Sequence, residues 1–318
     1  MNHLSRRRFL TISAAAAGCM IVPGLAAAST RDLVWKGTAF GATASIRLAG
    51  MNSGEAKRLI ALCRAEIERM ESIFSLYRTD SALVRLNAGG KLDNPPLDMV
   101  ALLSQAAAIH QQTNGAFDPT IQPAWTRLAE NSSKETSNAP ALPIGFDHVT
   151  RSTSRIVYTK PGMAMTLNGI AQGYATDRIA DLLKSQGLNN VLVEVGEIRA
   201  LGNKSDGKPW SVGIADTSDR DVIVDRIALA DRAIATSSPL GTTVDAAGTI
   251  GHILQPQTGQ PGGQWRQVSV IAPTATVADG LSTAFCLMDR DAIKAALTAF
   301  DQVEVRLEAD DGMVTRLG

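Results

Sequence analysis

Asp279 and Thr283 stand four residues apart where apolar spacing predicts a helix over residues 275–287, so a carboxylate and a hydroxyl share one face. That pair suits a hard cation that prefers oxygen ligands, with ligand phosphates and water completing its shell. The ordinary structural account is an acid favoured by the helix dipole and a threonine bonded back to the main chain. Upstream, Gly169 and Gly173 lie on the approach to another helix, expected over residues 174–186. Glycines there leave N–H groups open and let a ligand come close to the main chain, which suits a pyrophosphate. A tight strand-to-helix turn would use the same residues. The spacing is neither the dinucleotide G-x-G-x-x-G nor the P-loop pattern. His252 follows Gly251 and precedes a Gly- and Pro-rich loop over residues 255–264, a fair place for a proton acceptor, although a lone histidine is also an ordinary structural residue. Asp118, in Gly115-Ala-Phe-Asp-Pro-Thr120, follows a helix stop. It either closes an Asx-type turn or joins the main chain of Ala116 and Phe117 as a pocket edge for a flat heterocycle.

The elements that must hold these groups come in mixed order. Residues 34–48 read as a β-hairpin interrupted by Gly37 and Gly41. Residues 54–74 keep a three-to-four apolar spacing and predict a helix capped by Ser53, and residues 97–113 predict a second. Residues 131–143 are polar and read as a surface loop. Strands are expected at 156–158, 164–167, 190–195, 210–215, 227–236, 249–254, 268–272 and 303–307, with a last helix over 289–300. Without a strict β-α-β-α rhythm, the expected class is α+β: one large domain of mixed, mostly antiparallel sheets with packed helices over residues 29–318.

Residues 1–28 read as an export leader rather than as part of that domain. Ser5-Arg-Arg-Arg-Phe-Leu10 is a twin-arginine region, followed by an alanine-rich apolar run and Ala26-Ala-Ala28. Gly18 and Pro23 interrupt the run, which argues against a lasting transmembrane span. The expected location is the periplasm, reached by the twin-arginine route. Lipid attachment at Cys19 is the alternative, and the apolar residues beyond it fit ordinary cleavage better. Losing the leader removes three arginines and no acid, which takes the formal net charge from 0 to −3. With no basic stripe, nucleic acid is disfavoured as a partner. Past Cys19 only Cys63 and Cys286 remain, too few for a disulfide framework or a zinc cluster, and both sit in apolar surroundings. There is no G-x-S-x-G elbow, so a serine-hydrolase reading has no support.

Taken in order, several segments resemble the ApbE family of FAD:protein FMN transferases. They are Lys36-Gly-Thr-Ala-Phe40, Ser75-Leu-Tyr-Arg-Thr-Asp80, Gly115–Thr120, Asn168-Gly-Ile-Ala-Gln-Gly-Tyr174, Gly251-His-Ile253, Thr258-Gly-Gln-Pro261, and Ala278-Asp279 through Thr283. The resemblance runs from about Trp35 to Phe300. It implies an enzyme that splits the FAD pyrophosphate, passes FMN to a Thr or Ser hydroxyl of an acceptor flavoprotein, and releases AMP. By the same resemblance Mg²⁺ is held by Asp279, Thr283 and the Gly169 carbonyl. Tyr77 stacks on the ring system, and Ala116, Phe117, Asp118, Ile253, Lys36, Thr166 and Gln172 contact FAD. His252 handles the acceptor proton, with Asp279 as the other catalytic residue.

The departures are informative. The family's Asp-Leu-Gly-Gly-Ile-Ala-Lys-Gly-Tyr becomes Thr166-Leu-Asn-Gly-Ile-Ala-Gln-Gly-Tyr174, which loses an acid and a base together. Its Gly-Gly-Asp becomes Val195-Gly-Glu197, and Lys36 replaces a methionine. Loss of both members of a charge pair avoids leaving one buried alone. The altered motif and the twin-arginine leader resemble the NosX subgroup, flavin-donating accessories of nitrous-oxide respiration, whose acceptor would be a membrane flavoprotein with a periplasmic domain. A non-catalytic FAD carrier or assembly chaperone is the competing expectation. Asp279, Thr283 and His252 together favour the enzyme, because a carrier has no use for all three.

Overall fold

The computed structural model describes residues 19–21, 33–48, 52–130, 141–245 and 247–318. The twin-arginine region, the Ala26–Ala28 site and most of the loop expected over 131–143 lie outside the described residues.

The hairpin expected over 34–48 is β2 (Leu33–Ala39) and β3 (Ala42–Leu48), following a short strand β1 (Cys19–Ile21). Helix α1 (Ser53–Phe74) buries Leu59, Ile60, Cys63, Ile67, Met70 and Phe74 on one face. Its cap is Asn52, whose side chain accepts the Glu55 N–H, and Ser53 is already helical. Helix α2 (Ala82–Gly89), strand β4 (Lys91–Asp93), α3 (Leu97–Gln112) and α4 (Gln122–Glu130) come next. Strands β5 (Val149–Arg151) and β6 (Arg155–Tyr158) join β4 in a small antiparallel sheet.

Helix α5 (Ala171–Ser185) begins three residues earlier than its apolar spacing suggests. Beyond it lie β7 (Val191–Val195), β8 (Ile198–Leu201), β9 (Trp210–Ala215), β10 (Ile223–Leu229), β11 (Ala233–Ser237) and β12 (Gln267–Ala272). Helices α6 (Ala275–Phe285) and α7 (Arg290–Leu297) precede β13 (Glu304–Glu308) and β14 (Val314–Leu317). The class is α+β, as expected. An eight-stranded sheet, ordered β14-β13-β12-β11-β8-β7-β3-β2 and antiparallel at every pairing, carries the molecule. Helices α1, α5 and α6 contribute to the main core with that sheet. A second core, with Leu192, Ile198, Val212, Ile214 and Ile234, joins it to the β1-β9-β10 sheet.

Four expectations need correction. Residues 164–167 form no ladder, because the Asn87 amide bonds both Met165 main-chain groups at 2.8 Å and Pro119 accepts the Thr166 N–H. The strand expected over 227–236 is two strands, broken at Asp231, whose φ is 51°. Residues 249–254 make only isolated bridges, Thr243 with Gly251 and Leu254 with Pro261. Beyond the strand expected at 303–307, β14 adds an edge strand that was not expected. Within the segment read as leader, Cys19–Ile21 pairs with β9, supplying partners to an open sheet edge. Cys63 and Cys286 are both free and buried. Among the described residues no helix is long and apolar enough to cross a membrane.

Candidate active site

A cavity of about 580 Å³ opens where the approach to α5, the 279–283 turn of α6, the 116–122 turn and the 252–256 segment converge. Tyr77, Ala116, Phe117, Asp118, Thr166, Gly169, Gln172, His252, Ile253, Asp279 and Thr283 all line it. Ten of the expected positions plus the main-chain ligand therefore meet in one space. Lys36 does not. It is exposed on edge strand β2, four residues before the hairpin turn. The aromatic at that turn, Phe40, lines the cavity instead. Phe40 and Gly41 both have positive φ, 51° and 79°, which turns the Phe40 side chain off the strand alternation. The Phe-Gly pair at a hairpin turn was the available sequence signal. Trp125 and Ser237 also line the cavity and carried no recognisable motif.

Gly169 faces Thr283 closely: a Cβ on Gly169 would lie 2.9 Å from the Thr283 hydroxyl oxygen. Only a bare main chain fits there, so the Gly169 backbone lies directly against the Thr283 side chain. Asp279, one turn earlier on α6, is 4% exposed and accepts the Gly173 N–H through Oδ2 at 2.9 Å. Burial, and then the negative charge of Asp177, push its carboxyl up to about 7. Glu197 is also buried and held well above the usual carboxylate range by burial, by Asp279 and by Glu194. Among the described residues no group of three or more His, Cys, Asp and Glu side chains is placed to hold a metal. The fit is instead to a hard cation on one carboxylate, one hydroxyl and one carbonyl, leaving room for ligand oxygens. A cation there would also relieve the repulsion between the buried Asp279 and Glu197 carboxyls.

Gln172 sits where the resemblance places a lysine. It is 5% exposed, packs against Gly196, and its Nε2 has no hydrogen-bond partner among the described residues. Asp118 closes the Asx-type turn that is one of its two expected roles, and it also lines the cavity. Its Oδ1 accepts from the Thr120 N–H and hydroxyl and its Oδ2 from the Phe146 N–H, so its carboxylate is committed to the turn.

His252 Nδ1 lies 3.2 Å from the Pro239 carbonyl and 3.1 Å from the Thr242 carbonyl. Both partners are acceptors, so Nδ1 carries the proton and Nε2 keeps its lone pair. Burial lowers the imidazole pKa below its ordinary value, which keeps the ring neutral at physiological pH. A neutral, oriented imidazole on a cavity wall is a competent proton acceptor.

Residues 40–307 match the ApbE family profile. The chain belongs to the ApbE family. A FAD:protein FMN transferase of Vibrio cholerae is 31% identical over 77% of this chain and 78% of that protein. Among solved structures, the flavin transferase ApbE from Vibrio cholerae superposes with a TM-score of 0.75 at 26% identity, covering 91% of this chain and 97% of its own. The ApbE protein from Thermotoga maritima superposes at 0.78 with 25% identity, covering 90% and 97%. These ApbE structures share the mixed α+β architecture found here, and the curated relatives are enzymes, FAD:protein FMN transferases.

Proposed function

We propose that this ApbE-family chain transfers FMN from FAD to a Thr or Ser hydroxyl of an acceptor flavoprotein and releases AMP, with Mg²⁺ as the required cation. The observation that carries this reading is the placement of the Gly169, Asp279 and Thr283 oxygens and the neutral His252 around one cavity. Asp279, Thr283 and the Gly169 carbonyl would hold Mg²⁺, which when bound would spread negative charge from the FAD pyrophosphate. The start of α5 adds the positive end of its helix dipole for the same group. Tyr77, Phe117 and Phe40 offer aromatic faces for the flavin and adenine rings. His252 Nε2 takes the acceptor hydroxyl proton as that oxygen bonds to the FMN phosphorus. The pyrophosphate P–O bond breaks, and AMP leaves with the bridging oxygen.

The leader supports export by the twin-arginine route to the periplasm, with Cys19 lipidation the less favoured form. The acceptor proposed is the periplasmic domain of the membrane flavoprotein of nitrous-oxide respiration. A carrier with the same pocket would bind FAD and form no AMP, so chromatography of FAD after incubation with protein, acceptor domain and Mg²⁺ separates the two. AMP that appears with Mg²⁺ and disappears with a chelator is expected. FAD recovered intact under both conditions would contradict the transferase.

The Asp279 carboxyl also sets a pH dependence. Its pKa is raised to about 7, so without a cation it is protonated below that pH and ionised above it. Protons and metal compete for the same oxygen, so the Mg²⁺ concentration for half-maximal rate should rise about tenfold per pH unit below 7. Above about 8 it should level off. Mg²⁺ titrations of AMP release between about pH 5.5 and 8.5 check this, and a half-saturation constant that stays flat across the range would refute it.

A further inference from the structure

Helices α5 and α6 run antiparallel and exchange caps. In the first turn of α5, the Gly173 N–H donates to Asp279 of α6. In the first turn of α6, the Ala275 and Thr276 N–H groups donate to Asp177 of α5 at 2.8 and 2.9 Å. The Thr276 hydroxyl donates to the same carboxylate, and Arg199 of β8 donates from the side at 2.8 Å. First-turn N–H groups have no partner inside their own helix, so each helix satisfies the other's. Gly173 permits the approach: a Cβ there would lie 2.3 Å from the Ala275 carbonyl oxygen.

The exchange fixes how α6 lies along α5. Gly169 is just before α5, while Asp279 and Thr283 are on α6, so their oxygens converge only at one alignment of the two helices. Sliding α6 by one residue would shift it about 1.5 Å and rotate its side chains about 100°. Thr283 would then leave Gly169. We infer that Asp177 is a positioning residue for the cation and pyrophosphate site, holding the Asp279 and Thr283 oxygens in line with the Gly169 carbonyl. This rests on the transferase reading for its consequence, and on the clasp itself for its geometry. Thr274 caps α6 locally by accepting the Val277 N–H, so the helix does not depend on Asp177 to form.

The test is Asp177→Asn in the exported, leader-free chain, with Thr276→Val and Thr276→Ser beside it. Mn²⁺ binding is read by electron paramagnetic resonance with FAD present, and Mg²⁺ half-saturation by AMP release with the acceptor domain. Asparagine keeps the shape but puts an NH₂ against N–H donors. Mn²⁺ affinity and Mg²⁺ half-saturation should each worsen about tenfold or more, while kcat at saturating Mg²⁺ stays within about threefold. Thr276→Val should shift both in the same direction by less, and Thr276→Ser should restore them. If Asp177→Asn melts early while Mn²⁺ affinity is unchanged, or loses kcat at unchanged half-saturation, Asp177 has only a structural role. If Asp177→Asn does not fold, Thr276→Val decides, since it removes one hydroxyl and no charge. A parent protein that binds Mn²⁺ but forms no AMP would overturn the transferase reading, and the Mn²⁺ series would still decide the positioning role.

Discussion

Asp279→Asn is expected to lower AMP release at fixed Mg²⁺ by about 10³-fold, the loss of several kcal/mol of charge stabilisation, while the protein stays folded. The two halves of that expectation have one cause. Burial and the Asp177 charge hold the Asp279 carboxyl up to about 7, so in the cation-free protein the neutral form is already favoured over much of the pH range. An amide of the same shape can still accept the Gly173 N–H that Oδ2 accepts now. It also relieves repulsion with Asp177 and Glu197. The sign for stability follows. A carboxyl raised above its unfolded value makes the fold bind the proton more tightly, so Asp279 costs stability as pH rises from about 4 to 7. The amide removes that cost. Thermal melting of the Asp279→Asn variant in chelator at about pH 8 should therefore equal or exceed that of the parent, with addition of Mg²⁺ raising only the parent's midpoint. A variant that unfolds, or one that keeps full activity, would remove Asp279 from the cation site.

His252→Asn should reduce FMN transfer by about 10² to 10³-fold at saturating Mg²⁺, with FAD affinity changed by less than about threefold. Asparagine can donate its amide N–H to the Pro239 or Thr242 carbonyl, as Nδ1–H does now, so the segment keeps a partner. What it lacks is a basic nitrogen for the acceptor proton. The pH profile distinguishes this from a packing defect. At saturating Mg²⁺ the Asp279 limb is moved to lower pH by metal competition, and the remaining acid limb in the parent belongs to His252. Burial depresses that pKa, so the limb should lie below the ordinary histidine value of 6.5. In the variant the limb should vanish and the residual rate should rise with hydroxide. An unchanged acid limb would assign it to another group.

Much of this site is legible in the sequence because its parts are local. Asp279 and Thr283 need only a helix between them to share a face, and α6 supplies it. Gly169 and Gly173 announce a close approach by their lack of side chains, and each does meet a neighbour that a Cβ would strike. What is not legible depends on side chains arriving from elsewhere. Residues 164–167 have a strand's alternation, yet their hydrogen bonds come from Asn87, which no periodicity reports. Asp118 is legible as the acid of an Asx-type turn, but its second partner, the Phe146 N–H, comes from across the chain. Lys36 and Phe40 lie in one segment of the resemblance, and strand alternation ending in two left-handed residues decides which of them reaches the cavity. Asp177 stands three residues past the glycine-bearing stretch, but its part in the clasp appears only once α6 is laid against α5.

Gln172 shows how the same cavity tolerates a lost charge pair. With Thr166 in place of an acid and Gln172 in place of a base, neither leaves a charge buried alone. In the proposed site the two buried acids Asp279 and Glu197 would therefore rely on a bound cation, with no lysine at position 172, for compensation. That places Mg²⁺ at the centre of the proposed chemistry.

The most direct measurement is the intact mass of the acceptor domain after incubation with the leader-free protein, FAD and Mg²⁺. A mass increase equal to one FMN less water, on a Thr or Ser and matched by one AMP per acceptor, is the expected result. An acceptor of unchanged mass, with FAD bound by the protein and no AMP formed, would identify a flavin carrier and contradict the transferase.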